Sequence, residues 1–257
     1  MWERQARIIA GAEQASVSGR RLPLWAGWLL ALAVAALCAA LGFWQLQRMH
    51  AKQALLDDSA RVLEQRRAQP LALAADPARA RDFDWAAGAG GFPPLPAVLL
   101  DNQNREGRAG VRAYRVFQPE QAGAAPLLVE LGWLPLPGDR RLPGVAMPAA
   151  GRVSGLLLPP PSPGLAAPAV EVQADGTLLL VTLDPAAVAT ALGLPALAPR
   201  VLRLDPDLPL GYARDLDLLP NTLPPERHLG YAVQWFALAA AVLAIAALLT
   251  WRARRRR

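Results

Sequence analysis

Residues 225–257 read PERHLGYAVQWFALAAAVLAIAALLTWRARRRR, an uncharged stretch from Leu229 to Trp251 closed by a run of arginines. As a helix the uncharged part extends about 35 Å, enough to cross a hydrocarbon core of roughly 30 Å with some tilt. A second stretch of the same kind, Leu22 to Gln47, extends about 39 Å as a helix. Both predict transmembrane helices. Trp25, Trp28 and Trp44 flank the first, and Tyr231, Trp235 and Trp251 flank the second, where amphipathic rings seek the headgroup level.

A cleavable signal peptide is the competing reading of the first stretch, since Arg20 and Arg21 precede an apolar run with small residues at Ala33 and Ala35. The run continues to Leu46, beyond the roughly 7–15 residues of a signal core. Lipoprotein processing at Cys38 is disfavoured by Leu37, where a small residue is needed. Cys38 is the only cysteine, so no intramolecular disulfide is possible.

The chain has 257 residues, 53% hydrophobic and 19% charged, with a formal net charge of +6. Such a composition excludes a disordered tail protein and a small disulfide scaffold. A pI near 10.6 invites a nucleic-acid reading, but the basic excess sits at the two ends. Arg4, Arg7, Arg20 and Arg21 outnumber Glu3 and Glu13, and Arg252, Arg254, Arg255, Arg256 and Arg257 close the chain, leaving the middle near neutral. The excess is a topology signal, and no nucleic-acid partner is expected. By the positive-inside rule both termini face the cytoplasm. The predicted organisation is a cytoplasmic tail (1–21), a first transmembrane helix (22–47), an exported periplasmic domain (48–228), a second transmembrane helix (229–251) and a basic cytoplasmic tail (252–257). Short tails, no recognisable organelle-targeting extension and a single lysine point to the bacterial inner membrane.

Within the loop, Arg48 to Ala68 lacks Gly and Pro and continues the first helix outward as an amphipathic one. Strand-sized apolar runs follow at Ala97–Asp101, Val111–Phe117, Leu127–Leu134, Gly151–Leu158, Thr177–Leu183 and Val201–Leu204. One helix interrupts them, with Asp184 as N-cap, Pro185 at its first position and Gly193 as its stop. The expected fold class is α+β, with a mainly antiparallel β-sheet between the two membrane helices. Pro159, Pro160, Pro161, Pro163 and Pro168 mark a polyproline-like connection.

Two histidines, one cysteine and five serines leave little from which to build a nucleophile or a Cys/His metal site. Gly88, Gly90 and Gly91 lack the Lys-Ser/Thr of a phosphate loop. The carboxylate pairs Asp82/Asp84, Asp205/Asp207 and Asp215/Asp217 read as solvated surface groups, and no enzyme is expected. The informative point is His228 at the outer end of the second span, with Tyr231 at i+3 and Trp235 at i+7. An imidazole beside aromatic rings at the membrane surface can ligate haem iron, with Arg48, Lys52 and Arg227 at the same level to meet the propionates. An interfacial histidine in an ordinary aromatic belt is the competing reading. His50 is either a second ligand or exposed helix surface. Gln45 and Gln234 lie within the outer ends of the spans and need polar partners, which pairing between the two helices supplies.

The chain resembles the Surfeit locus protein family, membrane assembly factors for haem-copper cytochrome c oxidase. Four segments carry the likeness: LGFWQLQRMHAKQALL (Gly42, Trp44, Gln45, Arg48, Lys52), VLLDNQNREGRAGVRAY (Leu100, Asp101, Asn102, Gly107, Gly110), VELGWLP (Gly132, Trp133, Pro135) and PERHLGYAVQWFALA (His228, Leu229, Tyr231, Ala232, Gln234, Trp235, Phe236). Glu130 and Leu131 stand where the family usually has Asn-Arg. The resemblance implies a protein without turnover that helps install haem a in the oxidase catalytic subunit alongside other oxidase assembly factors. It makes His228 the candidate ligand to haem iron; with the junction chemistry, Tyr231, Trp235, Arg48, Lys52 and Arg227 are expected around the porphyrin, and Trp44, Gln45, Gln234, Gly132 and Trp133 in structural or interaction roles. The farnesyl tail of haem a would suit a groove between the two apolar helices. The alternative is a two-span scaffold that stabilises an oxidase subunit or assembly intermediate without binding haem.

Overall fold

A computed structural model describes residues 23–161, 169–217 and 223–256. The N-terminal tail, Leu22, Pro163, Pro168 and Arg257 of the readings above lie outside the described residues. The chain divides into two compact units, one of residues 1–50 with 225–257 and the other of residues 51–224.

The first unit is a pair of antiparallel helix segments. Helix α1 (Leu24–Gln65) is 42 residues long and contributes its part up to His50. Helix α3 (Pro225–Arg255) is 31 residues long. Only 17% of the most apolar window of α1 and 6% of that of α3 is buried, whereas the core helix of a soluble protein is mostly buried. Leu29, Leu30, Leu32, Leu37, Phe43, Ile245 and Leu249 are all exposed. A contiguous apolar surface of this kind marks contact with lipid or another apolar partner, and the two helices fit a two-pass membrane protein.

A series of buried and half-buried positions on α1 recurs at alternating steps of three and four: Trp28, Ala31, Ala35, Cys38, Gly42, Gln45 and Met49. Those of α3 do the same through His228, Ala232, Trp235, Ala239, Val242 and Ala246. A period of 3.5 is that of left-handed helix packing. Small residues dominate both seams, as expected where backbones must approach closely without a hydrophobic driving force. Gly42 shows why: a Cβ there would lie 2.7 Å from a ring carbon of Phe236.

The second unit is built on strands β1 (Gln69–Pro70), β2 (Asp84–Gly91), β3 (Val98–Arg105), β4 (Arg108–Pro119), β5 (Leu127–Pro135), β6 (Arg152–Leu158), β7 (Val170–Val172), β8 (Leu178–Leu180) and β9 (Val201–Leu204), with helix α2 (Pro185–Ala191) between β8 and β9. Their order is β1-β2-β6-β9-β5-β4-β3-β8-β7. The far end of β2 also pairs with β4 through Gly90↔Pro119 and Gly91↔Gln118, so β2, β6, β9, β5 and β4 close into a ring. Pairings β1–β2, β3–β8 and β5–β9 are parallel and the other six antiparallel. The expected α+β class with a mainly antiparallel sheet is thus observed, as a mixed sheet.

Strand alternation sends side chains to two cores. Val111, Phe117, Leu127, Val129, Leu131, Val153, Leu157, Leu202 and Leu204 fill the inside of the ring. Val98, Leu100, Tyr114, Val116, Leu128 and Val201 face the other way, onto Val188 and Ala189 of α2. Both faces are covered, which is why the strands read as continuous apolar runs rather than alternating ones. The Asp184 side chain accepts from the Ala186 amide at 3.0 Å with Pro185 at the first helical position, and Gly193 follows the helix at φ +67°.

Asp84–Gly91, outside the apolar runs read as strand-sized, forms an eight-residue strand. Its Gly and Ala residues lie under large neighbours, Leu71 over Gly88 and Phe117 over Gly90. The partners supply the bulk that the strand lacks. The run Thr177–Leu183 narrows to Leu178–Leu180, and β7 was not foreseen.

Candidate functional site

In the first unit the apolar seam carries a polar contact at the His228 end. His228 Nδ1 lies 2.8 Å from Gln45 Oε1. Because the amide oxygen can only accept, Nδ1 carries the proton and donates, so in the neutral imidazole Nε2 carries the lone pair. A hydrogen bond at one ring nitrogen fixes tautomer and orientation, as it does for metal-binding histidines. Phe43 and Phe236 meet edge to face across the same two helices, with centroids 5.2 Å apart and planes at 78°. The expected pairing between the two helices is found for Gln45, with His228 as its partner, and not for Gln234. Gln234 falls off the 3.5-residue seam and is exposed, while His228, on the seam and 7% exposed, takes the partner.

The other expected site residues separate into two sets. Trp235 shares the seam with His228 and is half-buried, whereas Tyr231 is exposed. Arg48 and Arg227 are exposed on the segments that carry Gln45 and His228, and Trp44 and His50 are also exposed. Lys52 belongs to the second unit, where its Nζ donates to the Leu223 carbonyl at 2.5 Å. Trp28, expected as a belt residue, is half-buried and donates its indole N–H to Thr250 Oγ1 at 2.9 Å. Among the described residues no three or more His, Cys, Asp or Glu side chains converge as a metal site. A lone pair at Nε2 has the donor chemistry of a haem ligand, but the atom is buried, so the ring must become accessible before an iron can reach it.

Gly132 and Trp133 lie in the second unit. Gly132 adopts φ +125°, and a Cβ there would lie 2.8 Å from the carbonyl oxygens of Tyr212 and Ala213. Trp133 receives the 210–214 segment through its amide, which donates to the Ala213 carbonyl at 2.7 Å. Its indole N–H donates to the Gln103 carbonyl at 3.0 Å. The Gly-Trp pair therefore clasps a loop to β5.

Two buried charge clusters were not foreseen. Glu130, 3% exposed, accepts from Arg112 Nη1 at 2.8 Å, Arg203 Nε at 3.2 Å and the Tyr114 hydroxyl at 3.3 Å. Burial, together with the Glu130 charge, pushes the Tyr114 hydroxyl far above the usual phenol range, so it stays protonated and donates. Burial opposes the Arg203 charge, but the Glu130 carboxylate more than offsets it and the guanidinium is held charged. The second cluster corrects the solvated reading of Asp84, which is 7% exposed. Its carboxylate accepts from Arg79 Nη2 at 2.6 Å and Arg200 Nη1 at 2.7 Å. The signal available in sequence was a charged residue in mid-strand between apolar neighbours, as in LLVELGW and VLRL. Such a residue needs a buried partner.

A sequence model of the SURF1 family matches residues 32–240, which include the Gln45–His228 pair and the Gly132–Trp133 clasp. No curated protein matches the chain.

Proposed function

We propose, from the premise that the chain belongs to the SURF1 family of cytochrome oxidase assembly factors, that it carries haem a as cargo on His228. It presents the haem to the catalytic subunit of a haem-copper oxidase, with other oxidase assembly factors as partners. In this reading both helices cross the bacterial inner membrane, the termini are cytoplasmic and the β-domain is periplasmic. The observation that supports the ligand role is the 2.8 Å contact of His228 Nδ1 with Gln45 Oε1. Gln45 holds the ring as the tautomer with a lone pair on Nε2, and Trp235 offers an apolar face beside it. Arg48 and Arg227 provide the cations for propionates.

Full-length protein purified from cells that make haem a is expected to carry a haem absorption spectrum, which His228→Ala abolishes. Gln45→Leu is expected to weaken haem retention about 10–100-fold, the usual effect of removing a group that orients a metal-binding histidine. Near-ultraviolet circular dichroism of both variants checks that the fold is retained. The scaffold reading is favoured by the 7% exposure of the imidazole, which suits a hydrogen bond that only joins two helices. Oxidase subunits co-purifying with a haem-free wild-type protein, and surviving His228→Ala, would establish that reading instead.

A further inference from the structure

At the opposite end of the helix pair from His228 the seam opens into a groove of about 390 Å³, lined by Pro23, Gly27, Trp28, Val34, Ile245 and Leu249 among others. The polar groups in its wall are already engaged. Trp28 donates to the Thr250 hydroxyl at 2.9 Å, and that hydroxyl donates to the Ala246 carbonyl at 2.8 Å. Nothing remains there to hold a polar ligand. A Cβ built on Gly27 meets no atom within 4 Å, so the space is open, and the α3 wall from Val242 to Thr250 is about 12 Å long.

Immediately beyond the groove α3 carries Arg252, Arg254 and Arg255, with Arg256 next, and all four are exposed. They are not equivalent. Arg252 stands at i+3 from Leu249 and i+7 from Ile245, Arg256 at i+7 from Leu249, and Arg254 at i+4 from Thr250, so these three border the groove face. Arg255 turns the other way and stacks on Trp251, 3.9 Å from the ring centre.

An apolar trough with a cationic rim at one end complements an amphiphile with a hydrocarbon tail and an anionic head. We infer that this end of the helix pair binds an anionic glycerophospholipid. One acyl chain lies along the groove, and the phosphate is held between Arg252 and Arg256, whose guanidinium groups match phosphate oxygens in geometry and charge. The bilayer leaflet at this end supplies the lipid, and the site works whether or not haem is carried at His228.

Native mass spectrometry of the full-length protein in detergent, with phosphatidylglycerol or phosphatidylcholine of the same chains added, tests the site. Wild type is expected to retain phosphatidylglycerol preferentially. The R252Q/R256Q double variant loses roughly thirtyfold in phosphatidylglycerol affinity, the scale expected for two arginines near a phosphate surface. Arg255→Gln removes a charge from the face turned away from the groove and stays within about threefold of wild type, since it sacrifices only diffuse attraction. Gly27→Leu fills the groove and is expected to lower retention of both lipids. A loss of about fivefold or more in Arg255→Gln, the per-charge equal of the double variant's, would reduce the effect to a general polybasic attraction and overturn the site. So would unchanged retention in Gly27→Leu, or equal binding of the two lipids by wild type. The arginine variants are confined to exposed side chains, so the charge comparison stands even if the glycine variant fails to fold.

Discussion

Arg200→Ala is expected to destabilise the second unit by about 3–5 kcal/mol, a large share of the 5–15 kcal/mol typical of a folded domain. Arg200 is 0% exposed. Its guanidinium donates to Asp84 Oδ2 at 2.7 Å, to the Asp82 carbonyl at 3.4 Å and to the Leu73 carbonyl. It thereby ties the start of β2 and the 3₁₀ turn Leu71–Ala75 to the residue that precedes β9. Removal strands the Asp84 carboxylate beside Arg79 alone and leaves a cavity where the arginine stem packed. A fall in melting temperature of roughly 10 °C, followed by circular dichroism on the full-length protein, is the expected reading. The double variant Asp84→Leu with Arg200→Met is expected to recover much of the loss, because it leaves no buried charge unpaired. If the double variant is no more stable than Arg200→Ala, packing rather than charge pairing accounts for the effect.

Gly132→Ala is expected to cost about 3 kcal/mol or more for two separate reasons. At φ +125° the backbone is in a region essentially reserved for glycine, and other residues there lose roughly 1–3 kcal/mol. The added methyl also meets the Tyr212 and Ala213 carbonyl oxygens at 2.8 Å, so the 210–214 loop must move off β5. That movement breaks the 2.7 Å bond from the Trp133 amide to Ala213 and the 2.8 Å bond from the Tyr212 amide to Leu131. Limited proteolysis should therefore show earlier cleavage near residues 210–217 than in the wild type. A melting temperature within about 2 °C of the wild type, with unchanged cleavage, would contradict the account.

The Gly132 effect also shows how a motif can be visible in sequence while its role is not. Gly132-Trp133 stands out in VELGWLP, yet the reason for the glycine is a loop about 80 residues later in the chain. Between Ala113 and Tyr114 the β4–β5 register shifts, pairing Ala113 with Gly132 and Tyr114 with Glu130. This bulge leaves Glu130 on the face that carries Tyr114. Arg203 enters from β9 on the same level, through the parallel pairing of Glu130 with Arg203. Two consecutive strands, β4 and β5, and the distant β9 build one buried charge cluster. Local pattern carries no information about which strands will be neighbours.

The site at the end of the helix pair divides in the same way. His228 and Gln45 were individually conspicuous, because an imidazole and an amide near an apolar span need partners. Their pairing depended on the 3.5-residue seam, which turns His228 inward and leaves Gln234 and Tyr231 outside it. Helical spacing from His228 alone groups Tyr231 and Trp235 together. Only the second helix decides which of them is covered.

What the sequence by itself determined was everything governed by local composition and period: two apolar helices with arginines beyond them, the positions of most strands, the Asp184-Pro185 helix start and the absence of a disulfide. These depend on hydrophobic length, turn residues and capping, which act over a few neighbouring residues. The tertiary structure alone decided that the Gly/Ala segment Asp84–Gly91 is a strand, that the sheet closes through β2 and β4, that Asp84 and Glu130 are buried among arginines, and that Gln45 meets His228. Each is a contact between residues distant in sequence. Its stability comes from burial and satisfied hydrogen bonds that exist only once the partner is in place.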